Sequence, residues 1–94
     1  ILYEISGAMN TYTVTELAEK LDENIKKSNI VADLERVESI DSVGVGLIMA
    51  TFNDGEDNGH RFYIMNPSAP ARIALEETGF YDVFEIIHAV TEVQ

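Results

Sequence analysis

Four short apolar runs alternating with three amphipathic segments predict an α/β fold, with a largely parallel sheet joined by right-handed crossovers. Two further observations carry that reading. Helix-start signals stand at Thr13 and Ser68, and Gly, Asn and Pro punctuate the ends of the apolar runs.

Ile1 to Ser6 alternates as a strand does, and Gly7 is expected to close it. Thr13-Val14-Thr15-Glu16 has the form of a capping box, Thr-x-x-Glu, which satisfies two orphan amides at a helix start. Val14, Leu17, Ala18, Leu21 and Ile25 follow at helical spacing, with Lys and Glu on the opposite face. Ile30 to Leu34 is a β-branched run of the kind found in strands covered on both faces. An apolar helix is expected from about Gly44 to Phe52, and "NDGEDNG", Asn53 to Gly59, reads as a polar loop. Phe62 to Met65 forms the third strand, stopped by Asn66-Pro67. Ser68 caps the next helix, with Pro70 in its first turn, Ile73 and Leu75 inside it, and Gly79 just past its end. Val83 to Ile87 is the last strand, and Ala89 to Gln94 is long enough only to begin a final helix.

The 94 residues suit one compact domain, with no internal repeat or linker. No apolar run approaches the roughly 20 residues that cross a bilayer, and no secretory leader pattern is present. Cysteine is absent, which removes disulfides, thiolate metal sites and cysteine nucleophiles, and is compatible with the cytoplasm. With 17 acidic and 6 basic side chains the net charge is −11. Such a surface repels nucleic-acid phosphates and anionic lipid headgroups, so neither nucleic acid nor membrane is expected as a partner. A protein partner with basic character is the natural complement.

No catalytic constellation emerges, and no cofactor or metal motif does either. His60 and His88 lie far apart with no ligand spacing, and read as surface or loop residues. Gly44-Val45-Gly46 is followed by Met49 where a dinucleotide fingerprint requires its third glycine. Asp54, Glu56 and Asn58 imitate half a calcium loop, but Met65 stands where the closing glutamate belongs. Glu76-Glu77 reads as an exposed helix face. The chain is not expected to be an enzyme.

The stretch "DSVGVG", Asp41 to Gly46, is the least ordinary in the chain. It follows a predicted strand and opens a predicted helix, the place where open parallel sheets meet ligands and partners. Free amides and the helix dipole favour an anion there, and a phosphate on Ser42 would add about −1.5 to −2 of charge. The residues leave two readings open: Asp41 or Ser42 merely caps the helix, or Ser42 is a modification site on a binding surface. Two glycines cost helix propensity of about 1 kcal/mol each, which points to close approach by a partner or another backbone. Val43, Val45 and Met49 would surround that contact, with Asn10 and Tyr12 joining from the same end of the sheet.

"DLERVESIDSVGVGLIMA" resembles the signature of STAS domains, in which a strand ending in Asp-Leu precedes Ile-Asp-Ser-(Ser/Thr/Ala)-Gly-Leu-Gly and an apolar helix. "MNPSAPARIALEETGFYDVFEI" is similar to a second stretch of the family, so the likeness covers most of the chain. It implies a four- to five-stranded, mostly parallel sheet with the helices largely on one face. One STAS domain would span residues 1–94, with the family's first strand, normally upstream of Ile1, shortened or missing.

The resemblance also implies a function: an anti-sigma factor antagonist that binds an anti-sigma factor with serine kinase activity, is phosphorylated at the helix start, and is restored by a serine phosphatase. Asp41, Ser42, Gly44 and Gly46 match motif positions. Many such antagonists carry two hydroxyl residues before the glycine and use the second, where this chain has Val43. Ser42 is therefore the expected acceptor. The alternative is a STAS docking module of a transporter or larger signalling assembly that is not switched by phosphate.

Overall fold

A computed structural model of the chain describes residues 1–92. Its sheet has four strands, β1 (Leu2–Met9), β2 (Ile30–Ile40), β3 (Phe62–Met65) and β4 (Glu85–Ile87), all parallel and in the order β1-β2-β3-β4. Helices α1 (Val14–Ile25), α2 (Ser42–Asn58) and α3 (Ala69–Glu77) make the three crossovers. Because each crossover steps the same way across the sheet, right-handed connections lay all three helices on one face. The core shows it: Leu21, Ile25, Ile48, Ala71 and Leu75 from the helices pack in one cluster with Ile30, Ala32, Leu34, Phe62 and Ile64. Val31, Tyr63, Met65 and Ile87, the alternate strand positions, form a smaller cluster on the other face.

Strand β2 runs to Ile40, six residues past the expected end at Leu34. Its buried positions change spacing there, from Ile30, Ala32 and Leu34 to Leu34, Val37 and the half-buried Ile40. Two irregularities in the pairing with β1 explain the change. Glu4 and Ser6 face Asp33 and Arg36, and Gly7 and Ala8 face Val37 and Ser39, so β2 carries the extra residue each time. Each bulge turns the next apolar side chain back toward the core. Gly7, at φ 75°, lies within β1 at the second irregularity and does not close the strand.

The helix ends differ from expectation in two places. Thr13 is not a capping box: its hydroxyl donates to Ala8 O at 2.6 Å and accepts from Asn10 N at 2.9 Å, and it makes no cap bond to α1. Residues Asn53 to Asn58 are not a loop but the last turns of α2, with Gly59 in the left-handed conformation after them. Buried Gly55 shows why. A β-carbon there would stand 2.8 Å from His60 O and 3.3 Å from Ile25 Cδ1, so α2 crosses α1 at that point and the acidic residues point to solvent. His60 is tied to Ile25 O through Nδ1 at 2.6 Å and is half-buried. Among the described residues no three potential metal ligands gather.

Ser68 caps α3 as expected, accepting from Ala71 N, and its hydroxyl also donates to Val37 O at 2.7 Å. Ser68 N donates to Leu34 O. These two bonds satisfy carbonyls of β2 beyond Asp33, where pairing with β3 has ended. The last strand is shorter than expected: Tyr81–Val83 is a single 3-10 turn before β4. Val90–Glu92 forms another such turn, and the rest of the expected final helix, residues 93–94, lies outside the described residues.

Gly44 marks the tightest crossing in the fold. A β-carbon on it would lie 2.8 Å from Met9 O, 2.8 Å from Ile40 Cγ1 and 2.9 Å from Met9 Cβ. Gly44→Ala and Gly55→Ala should each lower stability by about 1–2 kcal/mol, the overpacking cost outweighing the gain in helix propensity. Urea unfolding measures this as a lower midpoint at unchanged slope, and an unchanged midpoint for either variant would disprove the crossing at that residue.

Candidate functional site

The parallel strands place the ends of β1 and β2 side by side, Met9 opposite Ile40, at the mouth of α2. Asp41 leaves the sheet by donating its amide to Met9 O at 3.1 Å. Its extended backbone turns the side chain over the helix start, where Oδ1 accepts from Val43 N at 3.0 Å and Gly44 N at 3.1 Å. Asp41 O then accepts the first helical bond, from Val45 N. Asp41 is therefore the cap, with Ser42 in the first helical position. The Ser42 side chain is exposed, and its hydroxyl makes no hydrogen bond among the described residues.

Beside Ser42 an open groove of roughly 440 Å³ runs between α2 and α3. Asp41, Ser42, Val45, Gly46 and Met49 line it, so five of the sequence-predicted residues come together. Gly46 is exposed, with no atom within 4 Å of where its β-carbon would be. The opposing wall is Ala74 and Glu77 of α3 with Thr78, its C-cap, and Ile40 completes the lining. Sequence reading passed over that wall. Its signal is the helical spacing of Ala74, Glu77 and Thr78, a second face of α3 beside the one that buries Ala71 and Leu75.

The other predicted residues lie around the groove rather than in it. Val43 is 44% exposed on the outer side of the first turn, and Gly44 faces inward against Met9. Asn10 and Tyr12 stand on the β1–α1 turn at the same end of the sheet. Asn10 Oδ1 accepts from Tyr12 N at 2.9 Å, which holds that turn, and Tyr12 projects almost fully into solvent. In the 3-10 turn after α3, burial and then the Glu76 carboxylate push the Tyr81 phenol above its ordinary pKa, partly offset by Arg72. No helix among the described residues is long and apolar enough to cross a membrane.

Residues 1–93 match the profile of the STAS domain. An anti-sigma-B factor antagonist from Staphylococcus aureus is 31% identical over 85 residues, covering 88% of this chain and 79% of the relative. Two solved structures share the fold at a TM-score of 0.81. A candidate anti-sigma factor antagonist from Thermotoga maritima is 21% identical, and the match covers 97% of this chain and 80% of that one. The anti-sigma factor antagonist SpoIIAA, in its unphosphorylated form, is 22% identical, with 97% and 81% covered. The bulged β2, the capped mouth of α2 and the groove beside it thus belong to a chain of the STAS domain family.

Proposed function

We propose that this chain is an anti-sigma factor antagonist, a regulatory protein rather than an enzyme, that works in the cytoplasm by partner switching. It binds an anti-sigma factor with serine kinase activity through the groove beside α2, and phosphate on Ser42 releases that partner until a serine phosphatase removes it. One observation carries the reading: Asp41 does all the capping, leaving the Ser42 hydroxyl exposed and unbonded on the groove rim. A hydroxyl engaged in the cap could not be modified without unseating the helix. This one can be.

The same geometry says how the added charge acts. The second and third amides of α2 are already held by Asp41, so a phosphate on Ser42 competes with a carboxylate for them. Left only partly compensated, about −1.5 to −2 of charge stays at the surface. A partner face packed over Val45, Gly46 and Met49 would have to desolvate it, a cost no apolar contact offsets. The relatives named above support the partner class, and the unphosphorylated form named for SpoIIAA supports the modification.

A second reading, a docking module with no phosphate switch, draws on Val43. It stands where the resemblance expects a second hydroxyl, and it is exposed enough to contact a partner directly.

The test uses purified anti-sigma factors from the chain's own genome, each incubated with the chain and Mg-ATP. Mass spectrometry should locate a single phosphate on Ser42, absent from Ser42→Ala, and Ser42→Glu should bind at least about tenfold more weakly, roughly 1.4 kcal/mol. Binding that is indifferent to Ser42→Glu, with no phosphate transferred, leaves the docking module as the better account. Gly46→Ala should raise stability by about 1 kcal/mol through helix propensity, because nothing obstructs the new methyl group. It should also weaken partner binding, by titration calorimetry, since the methyl group enters the groove. Unchanged affinity would remove Gly46 from the contact.

A further inference from the structure

A second pocket opens on the far side of Met49. It measures roughly 210 Å³ and is lined by Met49, Phe52, Asn53, Phe80, Val83 and Phe84. Met49 also lines the groove beside Ser42, so the two depressions are separated by one side chain. The back wall is firm: the rings of Phe52 and Phe84 meet edge to face, centroids 5.4 Å apart, and Phe84 is 6% exposed. The rim is not buried. Phe80 and Val83 are 52% and 51% exposed, although both border an apolar hollow. Single exposed apolar residues are ordinary, but two that rim one concave site mark a contact surface.

We propose, resting on the partner-switching reading above, that the partner's contact continues across Met49 and ends with one of its apolar side chains in this second pocket. Size and charge define the occupant. The volume falls below the ~300 Å³ at which pockets begin to hold a free small molecule, so it suits one side chain. The charged groups lining the two depressions are Asp41 and Glu77, and no basic residue lines either one. On a chain of net charge −11, this selects a protein segment with an apolar anchor and a flanking Lys or Arg directed at Glu77. The anchor supplies affinity at the end of the contact farthest along α2 from Ser42.

Methionine makes the test direct, because the chain has three: Met49 at the junction, and Met9 and Met65, both buried in the fold. The whole chain, labelled at the methionine methyls with 13C, is titrated with purified anti-sigma factors from its own genome, one at a time. With the factor that binds, the Met49 methyl resonance should shift or broaden and that of Met65 should stay in place. Phe80→Ser and Val83→Ser should each weaken binding by about tenfold or more, as loss of an anchor pocket does, and Glu77→Gln should lessen its salt dependence. Both rim residues are half-exposed, so the melting temperatures should hardly change. If Ser42→Glu weakens binding while Phe80→Ser and Val83→Ser stay within about twofold, the second pocket is not part of the contact and the partner-switching reading stands without it. A chain that binds none of the factors overturns both. Self-association of the free chain, abolished by Phe80→Ser, would assign the pocket to a second copy and overturn this proposal alone.

Discussion

The close crossing of α2 over the end of β1 is the constraint on which the rest of the site depends. Met9 O accepts the Asp41 amide, and Gly44 passes the same carbonyl with no side chain between them. That contact fixes where the helix begins and how it is rolled. With the roll fixed, the Asp41 carboxylate lies over the second and third amides, and Ser42 is turned outward. Val45 and Met49, one and two turns further on, then fall on the side facing α3. The position of the exposed Ser42 hydroxyl is thus a consequence of core packing several residues away.

The same crossing needs β1 and β2 to end level with one another, which the two bulges in β2 achieve. Ten residues of β2, Val31 to Ile40, run alongside eight of β1, Leu2 to Met9, and the two extra residues are absorbed without exposing Leu34 or Val37. The strand is then longer than its partner on the other side, since β3 pairs only with Ile30 to Asp33. The carbonyls left over would be costly unpaired, and Ser68 covers two of them while starting α3. One serine therefore links the end of the central pairing to the helix that forms the groove's second wall. Strand irregularity, cap and groove are connected steps of one geometry.

This explains which parts of the molecule could be read from the chain. Element type and order were legible where the apolar spacing kept the helical period, as in α1, or where a short run was apolar throughout, as in β3. Reading failed where tertiary packing changed the period. The bulges convert β2 from alternate to every-third burial after Leu34, which looks like a polar loop to any test based on alternation. Asn53 to Asn58 looked like a loop because Gly, Asn and Asp dominate it, yet Gly55 is there for contact with Ile25 and His60 rather than for a turn. Thr13 had the spacing of a capping box but gave its hydroxyl to Ala8 O. At the site, Asp41, Ser42, Val45, Gly46 and Met49 were legible as one helix start. Ala74, Glu77 and Thr78 were not, because only the sheet order brings α3 beside α2.

The two glycines of the helix mouth separate structure from function most clearly. In sequence they are equivalent, two residues apart, each lowering helix propensity by about 1 kcal/mol. In the fold, Gly44 is compelled by Met9, and nothing about a partner need be invoked to account for it. No such contact exists at Gly46, where a β-carbon has nothing within 4 Å and alanine would stabilise the helix. Gly46 thus weakens its own helix with no packing reason, on the rim of a groove beside an unbonded serine. On the proposed partner-switching reading, close approach of a partner backbone over the groove accounts for it, beside the Ser42 hydroxyl that the partner would modify.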